Sequence, residues 1–176
     1  YVFYHRSTHN SVYSRRVCAE KIQINEDGTI DEVEMTTQGA ESHIPETRVL
    51  TASAFCKING KAYLENYTSA TESYEFLTNI HNGDGAYIKY YLFEGKIDKI
   101  QVKASNTGLV SQILVHLDGP DGEVVAEIQI GKSKGNYDFA EYEAPLKRSM
   151  EGRHSVYFEF AGSSGKLMNV KEFCFK

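Results

Sequence analysis

At 176 residues and a net charge of −5, the chain has room for one domain plus an extra element, and it lacks the clustered Lys and Arg that a nucleic-acid partner needs. No apolar run approaches the roughly 20 residues of a helical membrane span. Three Cys at unrelated spacings exclude a disulfide framework and a Cys-type zinc site; a Cys56–Cys174 bridge stays open beside the plainer alternative of buried free thiols.

The chain opens on Tyr1-Val2-Phe3-Tyr4-His5-Arg6, with no initiator Met and no signal peptide, and is expected to be the tail of a modular protein. Strands are predicted near residues 1–5, 16–24 and 33–35, with Asn25-Glu26-Asp27-Gly28 as a tight turn. Three antiparallel strands bury little of themselves in water, so Val2, Tyr4, Val17, Ile22 and Ile24 need cover from elsewhere. Residues 39–49 combine Gly, Ser, His and Pro45 with charges and are predicted to be a linker. The expected division is therefore residues 1–38, a linker at 39–49, and a module at 50–176.

From residue 50 onward nearly every segment reads as strand. Ile100, Val102 and Ala104 share one parity, as do Ile113, Val115 and Leu117, then Val124, Ala126, Ile128 and Ile130, then Val156, Phe158 and Phe160. That period of two is the mark of a half-buried strand. Asn59-Gly60, Asn82-Gly83, Asp118-Gly119-Pro120-Asp121-Gly122 and Gly162-Ser163-Ser164-Gly165 punctuate the runs as turns. No stretch keeps helical spacing. The pattern predicts an all-β fold, a β-sandwich jelly roll preceded by a short antiparallel sheet. Val170 and Phe173 both have core character but break parity, which predicts a bulge at Lys171-Glu172.

Phe3-Tyr4-His5-Arg6, Ser14-Arg15-Arg16-Val17-Cys18-Ala19-Glu20, Asp27-Gly28-Thr29-Ile30 and Val33-Glu34-Met35-Thr36 together resemble the last propeller blade of glycoside hydrolase family 43, which cleaves arabinose and xylose linkages. Tyr63-Leu64-Glu65-Asn66-Tyr67, Ile80-His81-Asn82-Gly83-Asp84, Gly135-Asn136-Tyr137 and Gly165-Lys166-Leu167-Met168-Asn169-Val170-Lys171-Glu172-Phe173 resemble a carbohydrate-binding module of family 6, a jelly roll often fused behind such propellers. The order of the two pieces suits both.

The resemblance implies where chemistry is and is not to be found. Glycoside hydrolysis needs two carboxyl groups flanking the bond, and in the resembled enzymes these come from earlier blades. His5, with Arg6 beside it, matches a last-blade position that faces the propeller centre. In the second module, Tyr137 and Asn169 match one aromatic and the Asn of the family's sugar cleft. The opposing aromatic's position is Asn79, with Tyr74, Phe76 or His81 as substitutes. The family's structural calcium maps onto Tyr63, Glu65 and Lys171, which leaves one carboxylate; the resemblance thus implies no cofactor, a lost calcium site, and a Lys171–Glu65 ion pair in its place.

The leading expectation is a non-catalytic module that binds plant cell-wall polysaccharide or oligosaccharide, xylan or arabinan, as the C-terminal part of a hemicellulose-degrading hydrolase acting in an extracellular or periplasmic setting. The alternative is a structural jelly roll packed on the propeller without binding sugar. Partners implied are the remainder of a propeller or a second copy of the chain, with no nucleic acid and no membrane.

Overall fold

A computed structural model describes residues 1–7, 15–37, 39–106 and 108–176; Ser14 of the first motif and Gln38 at the expected segment end lie outside the described residues. The strands, in chain order, are β1 (Val2–Ser7), β2 (Arg15–Glu20), β3 (Ile44–Pro45), β4 (Leu50–Thr51), β5 (Lys57–Asn59), β6 (Tyr63–Thr68), β7 (Ser73–Thr78), β8 (Gly85–Glu94), β9 (Lys99–Asn106), β10 (Ser111–Leu117), β11 (Val124–Gln129), β12 (Ala140–Pro145), β13 (Glu151–Gly162) and β14 (Met168–Phe175). Among the described residues the one helical element is a single 3-10 turn, Ala52–Ala54.

Two sheets face each other. One runs β11-β10-β13-β8-β3, with β5 also on β8; the other runs β12-β9-β14-β7-β6, with β4 also on β14. The period-two residues predicted for the interior are there: Ile100, Val102, Ala104, Ile113, Val115, Val156, Phe158 and Phe160 are fully buried. Rings fill the space between the layers, with Phe55 packed on Phe173 at 5.0 Å and Phe158 on Phe173 at 4.8 Å. Burying each such ring contributes roughly 1.5–3 kcal/mol, so one truncation here removes a large part of a domain's net stability. Gly85 has no side chain because a Cβ there would run into the Tyr157 ring and hydroxyl.

The expected bulge is present. Val170 pairs with Ala104 and Glu172 with Lys103, leaving Lys171 as the extra residue. A second irregularity, between Val115 and His116, buries Val125 and leaves Val124 only half-buried, which shifts the parity expected for β11.

The N-terminal segment departs from expectation in three ways. It forms a two-stranded ribbon, not three strands: β1 pairs with β2 and residues 33–35 are irregular. Side chains replace the missing ladder, because the Thr36 amide and hydroxyl both donate to the buried Glu20 carboxylate, at 2.8 and 2.7 Å. Second, Tyr4 sits opposite Cys18 and His5 opposite Val17, so Tyr4 and Val17 are on opposite faces and do not share one apolar surface. Arg6 donates to the Cys56 carbonyl at 2.8 Å, and Arg16 and Glu34 form ion pairs with Glu75 and Lys89, so polar contacts dock the inward face. Phe3 and Val17 are left 71 % and 80 % exposed on the other face. Third, the stretch expected as linker contributes β3, which pairs in parallel with β8 and buries Ile44, while Glu46 accepts from the Glu94 amide at 2.8 Å. All three cysteines are free.

Candidate functional site

Alternation on the second sheet decides which side chains reach its outer face. Leu64 and Leu77 point to the core, so Glu65 and Tyr67 of β6, and Tyr74, Phe76 and Thr78 of β7, point outward. Asn169 of β14 pairs across with Ser105 of β9 on that same face. The connection from β11 to β12 then folds over the sheet and delivers Asn136, Tyr137 and Phe139. Between loop and sheet lies a cleft of about 150 Å³, lined by Glu65, Phe76, Thr78, Ser105, Tyr137 and Asn169, with Asn136, Met168 and Lys166 completing it.

Tyr137 is 52 % exposed and packs on Tyr67 at 5.1 Å and edge-on to Phe76 at 5.8 Å. Tyr67 stacks in turn on Tyr74 at 5.0 Å, and Phe139 meets Tyr74 and Phe76 edge-on at 5.8 Å each. One solvent-facing ring thus rests on a buttress of four. Such a ring offers an apolar face to a pyranose, and the polar lining offers partners to its hydroxyls.

Asn169 is held from three sides. Its Nδ2 donates to the Asn136 carbonyl at 2.9 Å and to Ser105 Oγ at 3.2 Å, and its Oδ1 accepts from the Thr78 hydroxyl at 2.7 Å. Ser105 Oγ also donates to the Asn136 carbonyl at 2.6 Å.

Of the residues predicted for the cleft, the fold brings Tyr137 and Asn169 together there. Phe76 reaches it but is almost wholly buried, so it gives no second open jaw. Tyr74 is one layer behind, stacked beneath Tyr67; burial pushes its hydroxyl above the usual tyrosine range, with the Glu72 charge adding to that. Asn79 and His81 do not line the cleft. Asn79, at φ 54°, donates to the Lys61 carbonyl at 2.9 Å, and the His81 ring is within 2.7 Å of the Asn79 carbonyl, so both serve the turn before β8. His5 is exposed on the ribbon's outer face, whereas Arg6 is spent on the Cys56 carbonyl. Ser105, Thr78 and Lys166 were not foreseen as cleft residues; the outward parity of Ser105 on β9 was the available signal.

The predicted Lys171–Glu65 pair does not form. The Lys171 ammonium lies over the Tyr74 ring, 3.5 Å from its centre, because the bulge turns it toward the aromatic cluster. Glu65 lines the cleft instead. Tyr63, Glu65 and Lys171 therefore do not fit calcium, which takes six to eight oxygen ligands. No group of three or more His, Cys, Asp or Glu suited to a metal occurs among the described residues.

A larger groove, about 460 Å³, separates residues 20–42 from β8 and β13. Its aromatic, Tyr90, has one ring face under the Arg153 guanidinium at 3.8 Å and donates to Glu34, so its ring is less open to a sugar than that of Tyr137. The Tyr137 cleft is the better candidate.

Comparison with known proteins agrees with the sandwich fold. Residues 51–176 match the family model for carbohydrate binding module (family 6). The chain is 26 % identical to a xylosidase/arabinosidase of Thermoclostridium stercorarium over 99 % of its own length, and spans 39 % of that protein. A glycoside hydrolase family 43 arabinoxylan arabinofuranohydrolase from Bacillus subtilis, solved with cellotetraose, superposes with a TM-score of 0.70 at 26 % identity, covering 92 % of this chain and 34 % of that one. A family 6 module from Clostridium cellulolyticum, solved with xylose, superposes with a TM-score of 0.68 at 20 % identity over 76 % of this chain and 99 % of its own. With more than two thirds of its length matched by the family model, the chain belongs to the family 6 carbohydrate-binding modules.

Proposed function

We propose that the cleft under Tyr137 binds a neutral oligosaccharide stretch of xylan or arabinan type, and that the chain serves as the sugar-binding, C-terminal part of a hemicellulose-acting hydrolase working outside the cytoplasm. The observation that carries this is the half-exposed Tyr137 ring standing beside a polar cleft and not packed against the ribbon residues that the structure describes, 1–7 and 15–37. Hydrolysis falls to the portion of the longer relatives that this chain does not match. The cleft itself holds one carboxylate, Glu65, where glycoside hydrolysis needs two. The reading also includes independence from calcium, since the ligand set retains a single carboxylate.

Affinity electrophoresis in gels containing soluble xylan or arabinan tests the proposal. The chain is expected to be retarded in at least one, and Tyr137→Ala to abolish the retardation. Equal retardation of both proteins, or none for the unmodified chain in either gel, refutes it.

A second role is favoured by the ribbon. Phe3 and Val17, with Tyr1 at 64 % exposure, stand out beside His5 on the outer face of the ribbon as exposed apolar side chains. This face suits burial against the propeller of a longer protein. Amide exchange over residues 1–7 and 15–20 is then expected to slow in the full-length protein relative to this chain; unchanged exchange, or a dimer of this chain in sedimentation, argues for another cover.

A further inference from the structure

We infer that the cavity between the ribbon and the outer face of the first sheet is a binding site for a small oxyanion, a phosphate or carboxylate group held by Arg6, Lys57 and Lys89. Ala86 and Ile88 of β8 point to the core, so Tyr87 and Lys89 point outward, on the side of the sandwich away from the Tyr137 cleft. The site is therefore separate from the sugar cleft and stands whatever that cleft binds.

The cavity measures about 300 Å³ and is lined by Arg6 and Met35 from the N-terminal segment and by Cys56, Lys57, Tyr87 and Lys89 from the sandwich. Register brings two of its cations together. Lys57 of β5 pairs with Tyr87 of β8, so its side chain emerges beside Tyr87 and diagonal to Lys89, two residues further along the same face. Arg6 comes from β1. Its Nη2 donates to the Cys56 carbonyl at 2.8 Å, its one hydrogen bond among the described residues, and the other N–H groups of the fork stay available. Lys57 has no ion pair or hydrogen bond among the described residues; its ammonium lies 5.6 Å from the centre of the Tyr87 ring. Lys89 is paired with Glu34. Three positive charges against one negative leave two without compensation, in a chain whose net charge is −5. The Cys56 thiol registers them: burial pushes its pKa up, and the Lys89 and Arg6 charges act against that.

The lining is also rich in donors and poor in acceptors. It contains two ammonium groups, a guanidinium, a tyrosine hydroxyl, and a thiol that donates to the Tyr87 carbonyl at 3.5 Å, but no carboxylate and no side-chain amide. Its complement is a compact group with several acceptor oxygens and a negative charge. A neutral sugar would leave the excess charge in place. An oxyanion here touches β1 on one side and β5 and β8 on the other, and turns repulsion between the cations of ribbon and sandwich into attraction.

Amide chemical shifts of the isotope-labelled chain, titrated with sodium phosphate, sodium acetate or sodium chloride at matched ionic strength, test the inference. Phosphate is expected to move the amides of Cys56, Lys57, Tyr87 and Lys89 saturably, with a Kd of about 1 mM, and chloride is not. Acetate acting on the same amides assigns the site to oxyanions at large, and phosphate acting alone assigns it to the tetrahedral dianion. Lys57→Gln, at an exposed position, is expected to weaken phosphate binding about fivefold or more. Arg6→Gln keeps a donor for the Cys56 carbonyl and is expected to do the same. Lys57→Glu, which puts a carboxylate into the cavity, is expected to abolish binding. The inference is overturned if phosphate and acetate do no more than chloride, if the shifts fall away from this cavity, or if Lys57→Gln binds phosphate as the unmodified chain does. Should Arg6→Gln release the ribbon, Lys57→Gln decides alone. The readout needs no sugar, so failure of the cleft to bind xylan or arabinan leaves this test intact.

Discussion

The Lys171 ammonium stands 3.5 Å from the centre of the Tyr74 ring and 5.7 Å from that of Phe139, at the one residue that the bulge adds to β14. A cation over an aromatic face is attracted by the ring quadrupole, more strongly where water is partly excluded. Lys171 thereby caps the buttress behind Tyr137. Lys171→Met is expected to lower stability by about 1 kcal/mol, with Lys171→Arg closer to the unmodified chain. Urea denaturation of the three proteins checks this. Melting is expected to be unmoved by chelator or added Ca²⁺, and a drop on chelation would show that the lone carboxylate reading of this region is wrong.

Tyr91 is fully buried between Phe93 and Phe175, and its hydroxyl has no hydrogen-bond partner among the described residues. A buried polar group without a partner keeps its full desolvation penalty. Burial also pushes that hydroxyl far above the usual tyrosine range, since a phenolate there would be unsolvated. Tyr91→Phe is expected to raise stability by about 1 kcal/mol, or about 2–4 °C in melting temperature for a chain of this size. Unchanged or lowered melting would indicate a water bound at the hydroxyl.

Tyr4 titrates late, its hydroxyl raised from 10.0 to about 12, first by burial and then by the neighbouring Glu20 carboxylate. The folded state holds the neutral phenol more firmly than the unfolded state does. This contribution is complete below pH 10 and lost as pH rises from there to about 12. Difference absorbance titration of the unmodified chain against Tyr4→Phe is expected to show one phenolate forming near the upper end of that window. Formation at pH 10 would mean that the Tyr4–Glu20 contact is open in solution.

The ribbon is joined to the sandwich by side chains, among them Arg16 with Glu75 and Arg6 with the Cys56 carbonyl. Partly exposed ion pairs of this kind contribute little to global stability. Arg16→Ala is expected to change the main unfolding midpoint by less than about 1 kcal/mol, yet to speed tryptic release of residues 1–37. Release at an unchanged rate would show that other contacts hold the ribbon.

The cleft's single carboxylate supports one further expectation. The purified chain should not hydrolyse aryl arabinosides or xylosides above background, and turnover removed by Glu65→Gln would contradict it.

Much of the sandwich was legible in the residues because a strand's period is local. Ile100, Val102 and Ala104 had to share a face whatever the chain did elsewhere, and the clash of Val170 with Phe173 required an extra residue at Lys171. Tyr137 and Asn169 were legible as cleft residues through the motifs that carry them. The direction of the Lys171 side chain was not, because it depends on Tyr74 and Phe139, brought there from distant strands. Residues 33–35 have strand composition, yet Glu34 and Thr36 are claimed by Lys89 and Glu20, and the backbone is left without a partner strand. Ile44 and Pro45 read as linker from their neighbours and became part of a sheet because β8 has an edge to offer them, with Glu46 in the next turn accepting from the Glu94 amide. Alternation, turns and the bulge on β14 are short-range consequences of the order of residues, so they were readable for most strands of the sandwich, whereas the irregularity at Val115–His116 and the facing of Tyr4 and Val17 depend on partner strands. Which outward side chains meet, and that the Asn169 amide lies against Ser105 and the Asn136 carbonyl, follow from contacts across 64 and 33 positions that only the closed sandwich brings together.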